Sequence, residues 1–531
     1  LSPERVLIHL CMQSFPASLI VLSSLSNSSS SLSFFSPLLP SPGLPMVLLS
    51  QNARKRRSNR QIAMRVDVAE FRSFCFRGEG RANIVISAKH RKTGNRIVWR
   101  FAKTRKSGEL SVKGKSLVFG EFMEKMISPL LHPSFLVEPR TVDISIDHAH
   151  QLAKLPCLKS YDKIESLSDL EGMEGSLSLL QLDSIPPGQT FISCLEMLDA
   201  TCIPRRLAAL SDLSTVTLEI KPKQGYYQAH PGMEVPYCNN CILQIEKCRR
   251  KDALYSRMYD FCPLSLFSDD LHKQRKALES LISEPHRNLR VFVDGSPVLS
   301  DESLPSRSEL QSIIYPNGEA TVDDLLEGVL SVLNGRGLSP RGTPSLRGDS
   351  PCQEDCPCPS QLPRSSPSPS LYSPSPPPPN SSALLKQLLK AQRIDVLGLV
   401  KAHQLFFSLS AKEQAEVGRK VQSLGGLSFL SDNSAVSLLK RYLLAATLKD
   451  CSVMISLRLI RDTKEEEDEW INDTDVLVLP SGKKFAYSAK IVDLDPKSPK
   501  NMVSAYKRLK EGVDLLREGT SRPPCVQSMH A

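Results

Sequence analysis

The sequence predicts an α+β fold with two lobes: an N-terminal antiparallel sheet with a helix, and a larger C-terminal α/β lobe with helical insertions. A chain of 531 residues is too long for one ordinary core. Two β-branched runs followed by an amphipathic helix open the ordered sequence, and strands then alternate with helices. We expect an N-terminal extension, disordered or artefactual, at 1–63, an N-terminal lobe at 64–205, a C-terminal lobe at 206–335 and 383–525, and a disordered insertion at 336–382.

The N-terminal lobe is predicted from a hairpin and a helix. Residues 83–87 and 96–101 are β-branched runs joined by a turn-forming stretch at 92–95. The glycine-containing segment 78–80 is expected to form a turn just before the first of these strands. Apolar residues then recur at helical spacing over 119–131, where Pro129 ends the helix. This order of hairpin and helix is the one in which protein-kinase-like lobes cover a nucleotide, so the bilobal fold is expected to be protein-kinase-like.

The C-terminal lobe is predicted as strands that alternate with helices. Side chains alternate along an extended chain, so Lys221 and Lys223 leave the first of these strands on the same side. The insertion is rich in Pro and Ser and cannot bury enough apolar surface to order itself. The predicted elements are strands at 215–221, 288–293 and 485–492, and helices at 321–334, 383–407 and 435–448. The helix at 321–334 starts with a capping box.

Composition limits the class of protein. Lys and Arg number 67 against 57 Asp and Glu, and the net charge of +10 favours anionic partners. The 14 cysteines are scattered, which predicts a reducing compartment, the cytoplasm, the nucleus or both. The Ser- and Leu-rich start has an apolar patch too short to span a bilayer, so no membrane association is expected. Met46 or Met64 could be the initiator, and a transit peptide is the alternative for this start.

Four polar segments stand out against this background: 77–83 (RGEGRAN), 219–226 (EIKPKQGY), 449–455 (KDCSVMI) and 492–497 (VDLDPK). Transfer of a phosphoryl group to an anionic acceptor needs cations at the phosphates, a carboxylate that holds magnesium and a carboxylate near the accepting hydroxyl. Each segment can supply one of these parts. The segments together therefore predict a phosphoryl-transfer site.

In order and residues, these segments resemble the inositol-pentakisphosphate 2-kinase family. The resemblance covers 71–335 and 383–517 in blocks. It implies a phosphotransferase that uses ATP and Mg²⁺ to phosphorylate the 2-hydroxyl of inositol 1,3,4,5,6-pentakisphosphate, giving the hexakisphosphate. The partner is then this inositol phosphate. The protein is expected to be a monomer that does not bind nucleic acid directly.

The resemblance also implies a role for individual residues. Asp450 would be the catalytic base, although aspartates at helix ends are usually caps, and Lys221 would neutralise the γ-phosphoryl group. Asp493 and Asp495 would hold magnesium. The nucleotide would be bound by Gly78, Glu79, Gly80, Asn83, Arg100 and Asp199, and the phosphates of the substrate by Lys221, Lys223, Lys247, Asn288, Arg290, Lys497 and Tyr506.

Some positions depart from the family pattern and keep two alternatives open. Leu243 stands where the family has His, Arg287 replaces an asparagine, and Pro496 precedes Lys497 instead of following it. Glu121 lies in a helix that offers an arginine to the substrate in some relatives. The alternatives are a kinase with a different inositol-phosphate preference and a non-catalytic inositol-phosphate-binding scaffold, although a scaffold gains nothing from carboxylates beside its ligand.

The cysteines and acidic runs argue against a further metal site. Cys238 and Cys241 form one pair and residues 352–358 hold another cluster, but neither has partners at zinc-ligand spacing. Some plant members of the family carry a Cys/His zinc site, and its cysteine pair is absent from 397–421. The acidic run at 465–469 is predicted to be a solvated loop.

Overall fold

The computed structural model describes residues 64–79, 83–102, 119–155, 164–173, 188–249, 260–335, 383–419, 425–461 and 476–526, which all belong to one compact unit, Ile62–Ala531. The predicted N-terminal extension, the Pro/Ser-rich insertion and the acidic run at 465–469 lie outside the described residues. No helix within the described ranges is long and apolar enough to cross a membrane.

The first sheet has six strands in the order β1-β5-β6-β4-β3-β2, and all neighbours are antiparallel except β1 and β5. Apolar side chains at alternating positions bury one face around Trp99, whose indole N–H donates to Glu196 at 3.0 Å. The strands are Met64–Arg65 (β1), Phe71–Glu79 (β2), Asn83–His90 (β3), Arg96–Ala102 (β4), Arg140–Ser145 (β5) and Phe191–Leu198 (β6).

The second sheet is antiparallel throughout, with six strands in the order β11-β12-β10-β7-β8-β9. Its central strands, β7 and β10, are buried on both faces, which explains their nearly continuous apolar sequences. The strands are Thr215–Ile220 (β7), Leu289–Val293 (β8), Ser296–Leu299 (β9), Ser452–Ile460 (β10), Val476–Val478 (β11) and Lys484–Val492 (β12).

Most of the helices lie in the sequence after β6. Helix α1 spans residues 119–127 and ends in a π-helical turn, Met123–Ile127. The others are Ile146–Leu152 (α2), Arg205–Ala208 (α3), Asn239–Arg249 (α4), Pro263–Leu266 (α5), Leu271–Ser283 (α6), Arg307–Ile314 (α7), Val322–Asn334 (α8), Leu384–Gln392 (α9), Gly398–Ser408 (α10), Ala411–Val417 (α11), Ala435–Leu448 (α12) and Pro499–Glu518 (α13).

The helices bury two further apolar cores. One core joins α1, α6, α8 and α9 to the second sheet, and the other joins α4, α10, α12 and α13. Helix α8 begins with the expected capping box, in which Thr321 and Asp324 each bond the other's backbone N–H. The α+β class is therefore confirmed, and two sheets with separate cores are compatible with two lobes.

Two local expectations are corrected. The single helix expected over 383–407 is two helices, because Asp395 accepts the N–H groups of Leu397 and Gly398 at 2.9 Å and starts a second helix there. Gly398 has a φ of +72°, which interrupts regular helix geometry. In addition, Gly78 and Glu79 belong to strand β2 instead of preceding the first strand as a turn.

Candidate active site

The ends of three strands meet at one edge of the second sheet. Strand β10 lies between β7 and β12 and runs antiparallel to both, so its start is adjacent to their ends. Val453 pairs with Ile220, and Ser452 pairs with Val492. The segments 221–226, 449–451 and 493–497 therefore converge, although the sequence separates them widely.

The side chains carried by these segments form ion pairs. Asp450 Oδ1 lies 3.1 Å from Lys223 Nζ, and its Oδ2 lies 2.6 Å from Lys497 Nζ. Asp493 Oδ2 lies 3.3 Å from Lys221 Nζ. The structure thus brings together five of the residues predicted from the sequence, each carboxylate facing at least one ammonium group.

Both aspartates are held in their charged form. Loss of water around Asp450 would raise its pKa, but the ammonium groups of Lys223 and Lys497 outweigh this and hold the pKa well below its usual value. The pKa of Asp493 is lowered in the same way, against desolvation, by Lys221 and Arg100. Both carboxylates can therefore accept a proton or a cation at neutral pH.

The first sheet reaches the same site through Arg100. This arginine comes from β4, and its guanidinium group pairs with Asp495, two residues beyond Asp493. Its side chain is only 9% exposed and lies over the Phe119 ring, 5.4 Å from the centroid. Asp495 and Arg100, which were predicted to bind different ligands, thus form an ion pair with each other.

Glu219 and Ser452 belong to the site but were not predicted. The buried carboxylate of Glu219 lies 2.6 Å from the guanidinium of Arg290 and accepts the Ser452 hydroxyl at 2.9 Å. The same hydroxyl lies 3.2 Å from Asp493. The alternation of β7 could have identified Glu219, because residues 219, 221 and 223 share one side of an extended chain.

A second cationic group surrounds Lys247 on α4. Burial, together with the charges of Lys223, Arg508 and Arg287, lowers the pKa of Lys247 to about 8. Arg508 was not predicted, since it comes from α13, which packs along α4, and no sequence spacing relates the two helices. We call these four side chains, Lys247, Lys223, Arg508 and Arg287, the basic wall. One of them, Lys223, also contacts Asp450.

The other predicted ligands occupy varied positions. Asn288 is buried, and its carbonyl accepts the backbone N–H of Lys221 at 2.8 Å. The Tyr506 ring stacks on His403 with 3.8 Å between centroids. Asn83 begins β3, whereas Gly80 lies outside the described residues.

Asp199 directly follows β6, in the part of the chain that connects the first sheet to the second. Its carboxylate, however, is buried and accepts hydrogen bonds from Arg77 at 2.8 Å, Ser87 at 2.8 Å and the Thr201 hydroxyl at 2.7 Å. Those contacts fasten β2 and β3 to the junction. A part in reading the adenine ring stays a prediction.

Four cysteines meet away from the ion-pair cluster. The thiols of Cys238, Cys241, Cys262 and Cys525 all lie within 4.8 Å of one another. Sulfur–sulfur distances are 3.5 Å for Cys238–Cys241, 3.8 Å for Cys238–Cys262 and 3.2 Å for Cys241–Cys525. Tetrahedral zinc with Zn–S bonds of about 2.3 Å needs sulfurs about 3.8 Å apart, so this donor set fits a structural zinc ion.

The expectation that the Cys238–Cys241 pair lacks zinc partners is therefore corrected. Cys262 precedes α5 and Cys525 follows α13, and only the fold brings them to the pair at the start of α4. A zinc ion here would tie the end of α13 to the helix that carries Lys247.

We expect the purified protein to contain about one zinc ion per chain, since four thiolates bind this metal as a closed site. Cys241→Ser should lose the metal and lower the melting temperature. Cys248→Ser is the matched control, because Cys248 lies on the same helix outside the cluster. Elemental analysis after dialysis provides the measurement, and a zinc-free wild-type protein, or a disulfide among these cysteines, would contradict the assignment.

Comparisons with known proteins agree on one family. A family model described as inositol-pentakisphosphate 2-kinase matches residues 76–511. The inositol-pentakisphosphate 2-kinase of Danio rerio is 25% identical over 508 residues, covering 87% of this chain and 96% of the relative. That of Arabidopsis thaliana is 25% identical over 300 residues, covering 55% of this chain and 57% of the relative. The chain belongs to the inositol-pentakisphosphate 2-kinase family.

Proposed function

We propose that the protein is an ATP-dependent kinase that phosphorylates the 2-hydroxyl of inositol 1,3,4,5,6-pentakisphosphate and gives inositol hexakisphosphate. The observation that carries this proposal is the pairing of Asp450 and Asp493 with lysines from a single strand end, Lys223 and Lys221. A base, a metal ligand and two phosphate-binding cations thus share one small site, as phosphoryl transfer requires.

The charge of the site suits this substrate. Five phosphates carry about −8 to −10 charges near neutral pH. Lys223 and Lys497 pair with Asp450, the other cations of the basic wall surround Lys247, and Arg290 pairs with Glu219. Several of these cations are paired with carboxylates. We infer that substrate phosphates replace the carboxylates as partners on binding.

Asp450 is assigned the role of catalytic base. Its carboxylate would accept the proton of the 2-hydroxyl as the hydroxyl oxygen attacks the γ-phosphorus in line with the leaving ADP oxygen. Lys221 would neutralise the transferred phosphoryl group, and Lys223, Lys247, Asn288, Arg290, Lys497 and Tyr506 would hold substrate phosphates. Because Lys223 and Lys497 move to phosphates, the pKa of Asp450 would rise in the complex and make it a better proton acceptor.

The nucleotide is assigned to the space between the two sheets. Arg100 would leave Asp495 for the ATP phosphates, acting as the lysine does in protein kinases. Gly78 and Glu79 at the end of β2, Gly80, and Asn83 at the start of β3 would cover the phosphates, and Asp199 would meet the adenine. These assignments make the fold protein-kinase-like, with the first sheet as N-terminal lobe.

Magnesium fits the pair Asp493 and Asp495. Carboxylate oxygens are the protein ligands that Mg²⁺ prefers, and two such groups follow β12 within three residues. Lys221 pairs with Asp493 and Arg100 pairs with Asp495, so positive charge already lies beside both carboxylates. Bound there, the metal would offset negative charge on the β- and γ-phosphates.

The monomeric state stays a prediction. The predicted compartment, cytoplasm or nucleus, and the absence of nucleic-acid and membrane partners stay predictions.

Product analysis tests the substrate. Incubation with ATP, magnesium and each pentakisphosphate isomer should give hexakisphosphate from the isomer with a free 2-hydroxyl, and negligible product from isomers phosphorylated at that position. Equal or faster turnover of another isomer would favour the alternative of a shifted preference, to which Leu243 and Glu121 point. Tight binding without product from any isomer would favour the scaffold.

The pKa of Lys247 predicts a pH dependence of substrate binding. Its ammonium form binds phosphate and is lost in the free protein as the pH rises through about 8. Phosphates favour the charged form, so binding should take up a proton above this pH and weaken by about tenfold between pH 7 and pH 9.

Calorimetry in buffers of different ionisation enthalpy measures this proton uptake. Lys247→Arg is the matched control, because arginine stays charged over the whole range. Proton uptake by the wild type that is unchanged in this variant would contradict the assignment to Lys247.

A further inference from the structure

Gln392, the last residue of α9, makes three hydrogen bonds with its side-chain amide while being 0% exposed. Its Nε2 donates to the carbonyl of Lys223 at 2.9 Å and to the carbonyl of Leu448 at 3.1 Å. Its Oε1 accepts the N–H of Gly225 at 2.9 Å. Both amide protons and one oxygen lone pair are therefore used on main-chain groups.

These main-chain groups belong to the two segments that carry the proposed chemistry. Lys223 and Gly225 lie in segment 221–226, and Leu448 ends α12 two residues before Asp450. The side chains of Lys223 and Asp450 meet at 3.1 Å directly beyond this link. One buried amide thus joins two segments that are far apart in sequence at the point where their functional side chains pair.

Neighbouring contacts fix the same turn to the same segments. Asp395 accepts from Lys449 Nζ at 2.7 Å, and the Asp395 carboxylate is fully buried. The Tyr226 hydroxyl donates to the carbonyl of Gln392 at 3.3 Å. The turn between α9 and α10 therefore contacts each segment more than once.

The backbone of Lys223 needs such support. Its φ of +61° lies in the left-handed region, which a residue with a Cβ rarely adopts, and surrounding contacts must hold it there. The Gln392 hydrogen bond to the carbonyl of Lys223 acts on this residue directly. Loss of the bond would let the backbone relax and withdraw the ammonium group from Asp450.

We propose that Gln392 is a positioning residue that sets the geometry of Lys223 against Asp450 for the transfer reaction. This proposal rests on the proposed function. Glutamine suits the position because two carbonyl oxygens need donors and one N–H needs an acceptor, which a carboxylate or a thioether cannot supply together. Nothing in the role requires Gln392 to touch the substrate.

The charged groups around Asp450 determine what the loss of Gln392 should change. Lys221 and Lys223 approach from the end of β7, and Lys497 approaches from the chain before α13. Asp493, at the end of β12, is paired with Lys221. Withdrawal of Lys223 alone leaves two cations near Asp450, so its pKa should rise without reaching the ordinary value.

Gln392→Met tests the proposal, since methionine keeps the length of the side chain and removes all three hydrogen bonds. We expect kcat to fall by about 10- to 100-fold, as for a misplacement of about 1 Å. The acid limb of the profile of kcat/KM against pH should move to higher pH, and the KM for ATP should stay unchanged. The affinity for pentakisphosphate, measured by calorimetry, should also fall, since Lys223 is displaced.

Gln274→Met is the control. Gln274 is equally buried, on α6, and its amide bonds the carbonyl of Ser268 and the side chain of Asn334 away from the site. Both variants should lose a similar amount of thermal stability, but Gln274→Met should keep the wild-type pH profile and affinity. If Gln392→Met does not fold, Gln392→Asn, which withdraws the amide by one methylene, replaces it.

The outcomes separate the two proposals. Wild-type pH profile and affinity in the Gln392 variant, or equal changes in the Gln274 variant, would overturn the positioning role. A wild-type protein that binds pentakisphosphate without turnover would overturn the proposed function, while weaker binding by the Gln392 variant alone would still support control of Lys223 by Gln392.

Discussion

Asp450→Asn is expected to lower kcat for pentakisphosphate by about 10²- to 10⁴-fold, the range typical for removal of a general base. The amide keeps the shape of the side chain but cannot accept the proton of the 2-hydroxyl. Substrate affinity should be equal or higher, because Lys223 and Lys497 lose the carboxylate that competes with phosphate for them. Single-turnover kinetics and calorimetry measure the two effects separately.

Asp432→Asn is the matched control. Asp450 follows the end of α12, and Asp432 lies just before the start of that helix, where it accepts hydrogen bonds from Ser434 and Ser437. The carboxylate of Asp432 accepts from the helix terminus, so its variant should keep wild-type kcat with some loss of stability. A wild-type rate in Asp450→Asn would show that Asp450, too, is only a helix-end residue.

Asp493→Asn is expected to reduce kcat by about 100-fold or more and to raise the magnesium concentration needed for half-maximal rate, because a neutral amide is a weaker ligand. It also leaves Lys221 without its partner at 3.3 Å, which should bring that ammonium group closer to bound phosphate. Initial rates over a magnesium titration, at saturating ATP, provide the measurement.

Asp495→Asn is the comparison for this second change. Asp495 pairs with Arg100 and lies two residues further from the end of β12 than Asp493. Its replacement should therefore lower kcat less than the replacement of Asp493. An unchanged magnesium dependence in Asp493→Asn would exclude Asp493 as a metal ligand and would return it to the role of a partner for Lys221.

Local sequence patterns predicted the parts of the site that lie within single elements. The boundary between α12 and β10 placed Asp450 at a helix-to-strand junction, which the structure bears out. The alternation of β7 predicted Lys221 and Lys223 on one side, but the strand ends at Ile220 and the φ of +61° at Lys223 departs from an extended chain. The end of β12 at Val492 likewise delivers Asp493 as expected. Strand and helix ends are readable because they depend on neighbouring residues alone.

Contacts between distant segments could not be read in this way. The hydrogen bonds of Gln392, and the approach of Arg508 to Lys247, follow from how helices pack against the second sheet. The cysteine cluster is the clearest case, because Cys262 and Cys525 join the pair at the start of α4 only through tertiary structure. The break between α9 and α10 was missed because apolar periodicity continues across it, while Asp395 caps the second helix from its own side chain.

The most direct test of the account is the time course of hexakisphosphate formation by the full chain with ATP, magnesium and inositol 1,3,4,5,6-pentakisphosphate, followed beside the Asp450→Asn variant. The account predicts one ADP for each hexakisphosphate, with the new phosphate on the 2-hydroxyl, and loss of both products in the variant. Tight binding of pentakisphosphate by a folded wild-type protein that makes neither product would contradict it.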